Sequence, residues 1–109
     1  MTFHKKFMKK LESVLNKLEG IVGIARKAGF VIVGGDNLSS YTKKLYLVLV
    51  DKTAGNSLKR QMGYVAKDRQ IPLYEIDNLG LIVGIASCKA IGLKNKALSE
   101  QIETCLKGE

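Results

Sequence analysis

At 109 residues, 46% of them hydrophobic, the chain holds enough apolar material for one core and too little length for two, so residues 1–109 read as a single domain that closes without metal or disulfide staples. No apolar stretch is long enough to span a bilayer, and residues 1–10 alternate charge with bulk instead of forming a signal-peptide core; a cytoplasmic location with no membrane partner is expected. The net charge is +8, and all of the excess lies in residues 1–60, where 12 Lys and Arg face 4 acids, against 6 of each in residues 61–109.

Residues 1–6 read as a flexible tail. A long N-terminal helix over residues 7–28 follows from the 4-3-4-3-4-3 spacing of Phe7, Leu11, Val14, Leu18, Ile21, Ala25 and Ala28, with Gly29 as its C-cap. "FVIV" at 30–33 is a β-branched run too short for a helix and apolar on both sides, which predicts a central or near-central strand. After Gly34 and Gly35, Asp36 is the expected N-cap of a short helix whose inward side carries Leu38, Tyr41 and Leu45. "LYLVLV" at 45–50 is the next buried strand.

A turn over 51–55 then leads to a helix capped by Asn56 or Ser57, with Leu58, Met62, Val65 and Ala66 on one stripe. "IPLYEI" is a third strand with Pro72 near its start, where strands tolerate proline. "DNLGLIVG" reads as a short capped helix and "SCKAIGL" as a fourth strand. Residues 96–107 form a closing helix with Leu98, Ile102, Cys105 and Leu106 inward. The alternation predicts an α/β protein, a three-layer α/β/α sandwich around a four-stranded mixed sheet.

Little in the chain points to catalysis. Cys88 and Cys105 are too few for a disulfide framework and read as small core residues. The single histidine, His4, gives no zinc-ligand spacing, so no metal or other cofactor is expected. Asp36, Asp51, Glu75 and Asp77 fall near strand ends, where carboxylates ordinarily cap helices, and no activated nucleophile accompanies them; the expectation is a non-enzyme.

The one-sided positive charge fits a polyanion-binding face better than general solubility, although sign alone does not distinguish nucleic acid from an anionic lipid surface. The segment that draws attention is "VGGDN". A hairpin would need alternation after the glycines, and "DNLSSYTKK" carries helical spacing instead, so strand, glycine turn and helix start is the better reading. Such a junction can hold an anion on backbone N–H groups. It matches neither the dinucleotide fingerprint nor a Walker loop.

The stretches "GIARKAGFVIVGGDNL", "LYLVLV", "IPLYEIDNLGLIVG" and "KAIGL", roughly residues 18–93, resemble the ribosomal kink-turn RNA-binding superfamily of the archaeal L-seven-A-e and L-thirty-e type, especially its small bacterial members. The resemblance implies that the strand-glycine-helix junction docks into RNA at a sharp bend through a Gly-x-Asn-Glu-x-x-Lys pattern. Laid on without a gap, Gly34 takes the glycine position, Asp36 the Asn, Asn37 the Glu and Ser40 the Lys; only the glycine is kept. A register starting at Gly35 would instead turn Leu38 and Tyr41 toward RNA. A shorter helix could bring Lys43 or Lys44 toward the place of the missing lysine.

The resemblance also implies that "GIASC" offers Ile85 and Ala86 to an extruded base, whereas a plain packing role at the sheet edge is equally compatible with both residues. Arg26 and Lys27, ending the first helix, suit phosphate contact or simple complementation of the helix dipole. The resulting expectation is a ribosomal-protein-like factor that binds structured RNA, ribosomal or kink-turn-containing, using Arg26, Lys27, Gly34, Gly35, Asp36, Asn37, Ser40, Lys43, Lys44, Ile85 and Ala86, with the ribosome as a candidate partner. The alternative is a protein-interaction module that keeps the scaffold, has lost kink-turn recognition, and docks through the basic N-terminal helix that begins "HKKFMKK".

Overall fold

Helices and strands alternate as the apolar pattern requires: α1 (Thr2–Lys27), β1 (Val31–Val33), α2 (Gly35–Ser40), β2 (Leu47–Asp51), α3 (Asn56–Arg69), β3 (Leu73–Ile76), α4 (Leu79–Val83), β4 (Ala90–Leu93) and α5 (Lys96–Leu106). The structure is a computed structural model and describes residues 2–107, with side chains from Val14 onward. The expected inward positions Phe7 and Leu11 and the basic side chains of residues 4–10 lie outside the described residues.

The four strands form one mixed sheet in the order β1-β4-β2-β3. β2 and β3 are parallel, with Leu49 opposite Tyr74, while β4 runs antiparallel to both β1 and β2, with Ile91 opposite Val33 and Leu49. The strands of β2 and β4 are buried along their whole length, which is why they read as unbroken apolar runs. One face of the sheet packs Leu47, Leu49, Ile91 and Leu93 against Leu18, Val22 and Ala25 of α1, Leu79, Ile82 and Val83 of α4, and Ile102 and Cys105 of α5. The other face packs Val48, Val50 and Ala90 against Leu38 of α2 and Met62 of α3. This is the three-layer α/β/α sandwich.

α1 ends as expected, in a Schellman cap: Gly29 adopts φ +79°, Phe30 N–H donates to Ala25 O at 2.8 Å and Gly29 N–H to Arg26 O at 3.1 Å. The helical backbone begins at Thr2 rather than near Phe7, and its buried stripe runs Leu18, Val22, Ala25, leaving Ala28 exposed within the cap. The expected stripe omitted Val22, which is fully buried.

Four further expectations are corrected. β1 is an edge strand, paired with β4 alone, and each of its residues is half-buried. Its apolar run is accounted for by cover on both faces, since Val31 and Val33 face α1 and Ile32 faces α2; such cover does not require two strand neighbours. α2 starts at Gly35 with Gly34 as N-cap, so Asp36 lies inside the first turn and caps nothing. α3 is likewise capped at Gly55 rather than by Asn56 or Ser57, and β2 begins at Leu47, with Leu45 buried in the segment before it.

Candidate nucleic-acid interface

Strand direction divides the connecting segments into two groups. The C-terminal ends of β1, β2 and β3 and the start of β4 share one end of the sheet, where the α2 start (34–37), the turn after β2 (52–55), the turn before α4 (77–78) and the α4–β4 segment (84–89) gather. The segments 41–46, 70–72 and 94–95 lie at the opposite end. The candidate residues are split between the two.

Gly34, Gly35, Asp36 and Asn37 share the first end with Ile85 and Ala86. Gly34 sits at φ +99°, ψ 141°, backbone that favours glycine, and its own N–H is spent on Ala90 O at 2.9 Å. Gly35 packs closely on α3: a Cβ there would lie 2.5 Å from Leu58 Cδ1 and 2.8 Å from Gln61 Oε1, so both side-chain ends would have to move. Both glycines therefore have a structural reason without any bound phosphate. Asn37 donates Nδ2 to Val33 O at 2.8 Å, which fixes the amide with Oδ1 left as an acceptor. Asp36 is held sideways, accepting from Gln61 Nε2 at 3.2 Å, and the same amide reaches Ser39 Oγ at 2.9 Å. Leu38 is fully buried, so the register beginning at Gly35 would put a core residue against RNA.

Ile85 is half-buried and Ala86 exposed on a segment pressed against α4, where a Cβ on Gly80 would come within 2.8 Å of Ile85 O and 2.7 Å of Ala86 O. Beside them Leu81 is 69% exposed, an apolar side chain on α4 that faces solvent. Leu81, Ala86, Thr53 and Lys89 line a cleft of about 280 Å³ with Asp51 and Asp77. Arg26 reaches this region by donating Nη1 to Val83 O at 2.9 Å, capping the C-terminus of α4. Lys27 is exposed in the last turn of α1.

The scaffold of this end is Asp51, buried at the tip of β2. Its Oδ2 accepts from Thr53 N–H at 2.8 Å and from the Thr53 hydroxyl, its Oδ1 accepts from Leu79 N–H at 2.9 Å, and Lys89 Nζ stands 3.7 Å away. The Thr53 hydroxyl, with the two backbone donors and Lys89, outweighs burial and lowers its pKa to about 2. Lys52 pairs with Asp77 at 3.5 Å and Lys59 with Glu75 at 3.4 Å. The cations of this end are thus partly committed to carboxylates.

Ser40 closes α2, with its hydroxyl donating to Asn37 O at 3.3 Å, and Lys43 and Lys44 lie beyond it toward the opposite end of the sheet. The expected approach of Lys43 or Lys44 to the glycine corner is not made, because the 41–46 segment leads to the start of β2, a strand's length from Gly34. Arg69 anchors that segment, donating Nη1 to Lys43 O at 2.8 Å and Nη2 to Tyr41 O. Cys88 and Cys105 are buried and unbridged, and burial pushes the Cys88 thiol up, away from the thiolate.

Sequence reading missed Lys52, Lys89 and Leu81 at the first end and Arg69, Lys94 and Lys96 at the second. These residues come together only through the strand order β1-β4-β2-β3, which no local pattern encodes.

No family model matches the chain, and no curated protein matches it in sequence. Solved structures do share the fold. A protein of unknown function from Bacillus halodurans C superimposes with a TM-score of 0.76 at 21% identity, covering 84% of this chain and 97% of that one. The Giardia lamblia 15.5kD RNA binding protein superimposes with a TM-score of 0.62 at 14% identity, covering 91% of this chain and 86% of that one. One solved structure of this architecture is therefore an RNA-binding protein.

Proposed function

We propose that the chain binds structured RNA without catalysing a reaction, at the sheet end that carries Gly34–Asn37 and Ile85–Ala86, and that its target is a sharply bent, kink-turn-like element of ribosomal or other structured RNA. The observation that carries this reading is the likeness of nearly the whole chain to the Giardia RNA binding protein. The resemblance of residues 18–93 to kink-turn binders and the charge excess in residues 1–60 support it.

The geometry has suitable chemistry for each part. Asn37 Oδ1 is an acceptor held in place for a base amino group. Ile85 and the exposed Leu81 offer apolar surface to an unstacked base. Lys52 and Lys89 can exchange their carboxylate partners for phosphates. Asp36 opposes this, and its lateral hold by Gln61 limits how closely it faces the RNA.

Gel-shift titration against a hairpin with tandem G·A pairs at a bend, a straight duplex and a ribosomal RNA fragment, at two salt concentrations, tests the reading. Preference for the bent hairpin, reduced by Asn37→Ala and by Ile85→Asp, is the expected result. Equal binding to bent and straight RNA would remove the kink-turn element, and no binding to any of the three would leave the protein-interaction reading.

A further inference from the structure

The opposite end of the sheet carries a groove of about 860 Å³ whose lining includes Lys43, Lys44, Tyr46, Arg69, Lys96 and Glu100. Its cations differ from those of the glycine corner in one respect. Lys52, Lys59 and Lys89 each stand within 4 Å of a carboxylate, whereas Lys43, Lys44 and Lys96 of the groove, and Lys94 at the same end of the sheet, have no carboxylate partner among the described residues. Lys44 and Lys94 instead lie over the rings of Tyr46 and Tyr41, at 5.3 and 5.6 Å from the centroids.

We propose that this groove is a second RNA contact, a site for the phosphate backbone of a strand separate from the one held at the glycine corner; the inference rests on the RNA-binding reading above. Lys43, Lys44 and Lys96 line one groove without an ion-pair partner, so their repulsion is relieved by a polyanion. The segment that bears Lys43 and Lys44 is already fixed by Arg69, whose guanidinium holds the carbonyls of Tyr41 and Lys43, so little ordering is left for binding to cost. The ring face of Tyr46 supplies stacking surface in the groove where Lys44 moves off to a phosphate. A concave groove admits a strand and keeps a flat lipid surface away from its floor.

Five strand residues at about 3.3 Å each separate the two ends, so they stand roughly 15 Å apart, too far for one phosphate cluster to serve both. The carboxylates on the groove are accounted for differently. Glu103 accepts from Tyr74 OH at 3.0 Å and pairs with Lys107 at 3.8 Å. Glu100 is exposed and opposes an anion.

The test is filter retention of the full chain on a bent hairpin carrying a single-stranded tail of about ten nucleotides, across a range of salt concentrations. Lys43→Ala/Lys44→Ala/Lys96→Ala should reduce the slope of log affinity against log salt by about 2, at ~0.7 per single-strand phosphate contact, and leave the preference for bent over straight RNA in place. Glu100→Gln should tighten binding to the tailed hairpin. A wild-type protein that binds the tailed hairpin with a slope the triple variant does not change overturns the groove and spares the corner. Retention of no RNA by the wild type overturns both. Retention by phosphatidylserine vesicles that the triple variant abolishes, with an unchanged RNA slope, assigns the groove to lipid and overturns the proposal.

Discussion

Asp51, the last residue of β2, accepts the backbone N–H of Leu79, the first residue of α4, at 2.9 Å and across 28 positions of sequence. α4 has no side-chain cap of its own: Asn78 holds the N-cap position at φ +58° and accepts Ile82 N–H on its backbone carbonyl at 3.1 Å, with no side-chain bond to the helix. The cap is supplied from another strand instead, and the same carboxylate ties down Thr53 and faces Lys89.

Removing the group leaves the Leu79 N–H without a partner in a buried place and releases the exposed Thr53 from the turn. Asp51→Ala should therefore destabilise the fold by about 2–3 kcal/mol, and Asp51→Asn, which keeps one acceptor, by less. Urea unfolding followed by circular dichroism measures both. A loss below about 1 kcal/mol for the alanine variant would show that the three segments hold together without the carboxylate.

The same residue sets an acid limit. Its pKa in the folded chain, about 2, lies below the ordinary 3.8, so protonation is harder when folded than when unfolded. The stabilisation is then fully present above about pH 4 and is lost as pH falls through the folded value, on the order of 2 kcal/mol in all at 1.36 kcal/mol per pH unit. Stability measured between pH 5 and pH 2 should fall more steeply for the wild type than for Asp51→Asn. Parallel curves would assign the acid limb to other carboxylates.

The sheet-forming segments were legible because burial on both faces leaves β4, and β2 up to the Asp51 at its end, without polar positions, and α3 and α5 because their stripes keep helical spacing. Strand order was not, because β1 is as apolar as β2, and a run of Val and Ile reports what covers a strand and not what pairs with it. The caps failed for a related reason. Asp36, Asn56 and Ser57 stand where a cap would be, but Gly34 and Gly55 hold those positions, and α4 is capped by a residue far away in sequence. The candidate site was half legible: Gly34–Asn37 and Ile85–Ala86 do share one end of the sheet, whereas Lys43 and Lys44 needed the chain direction after α2 to be placed.

The twin glycines separate by cause. Gly34→Ala forces a side chain into backbone at φ +99° that favours glycine, with an expected cost of about 1–3 kcal/mol. Gly35→Ala meets only the ends of Leu58 and Gln61, which can turn aside, for about 1 kcal/mol. Thermal unfolding of the two variants should rank Gly34→Ala as the less stable. The reverse order would mean that packing against α3, and not backbone conformation, dominates the corner.

If the corner meets phosphates, its departures from the kink-turn pattern should be reversible. Asp36→Asn removes a negative charge while keeping an oxygen for Gln61 Nε2, and Ser40→Lys adds a cation at an exposed position whose hydroxyl makes only a 3.3 Å bond to Asn37 O. Neither change touches the core, since Leu38 alone among the residues of α2 is buried. The double variant should bind the bent hairpin more tightly than the wild type, with a salt slope steeper by about 0.7–0.9 for the added phosphate contact. The gain should fall as salt rises, since screening acts on that contact, and it should be smaller for a straight duplex. An equal gain on every RNA would show only a more positive surface, and no gain would move the phosphates away from α2.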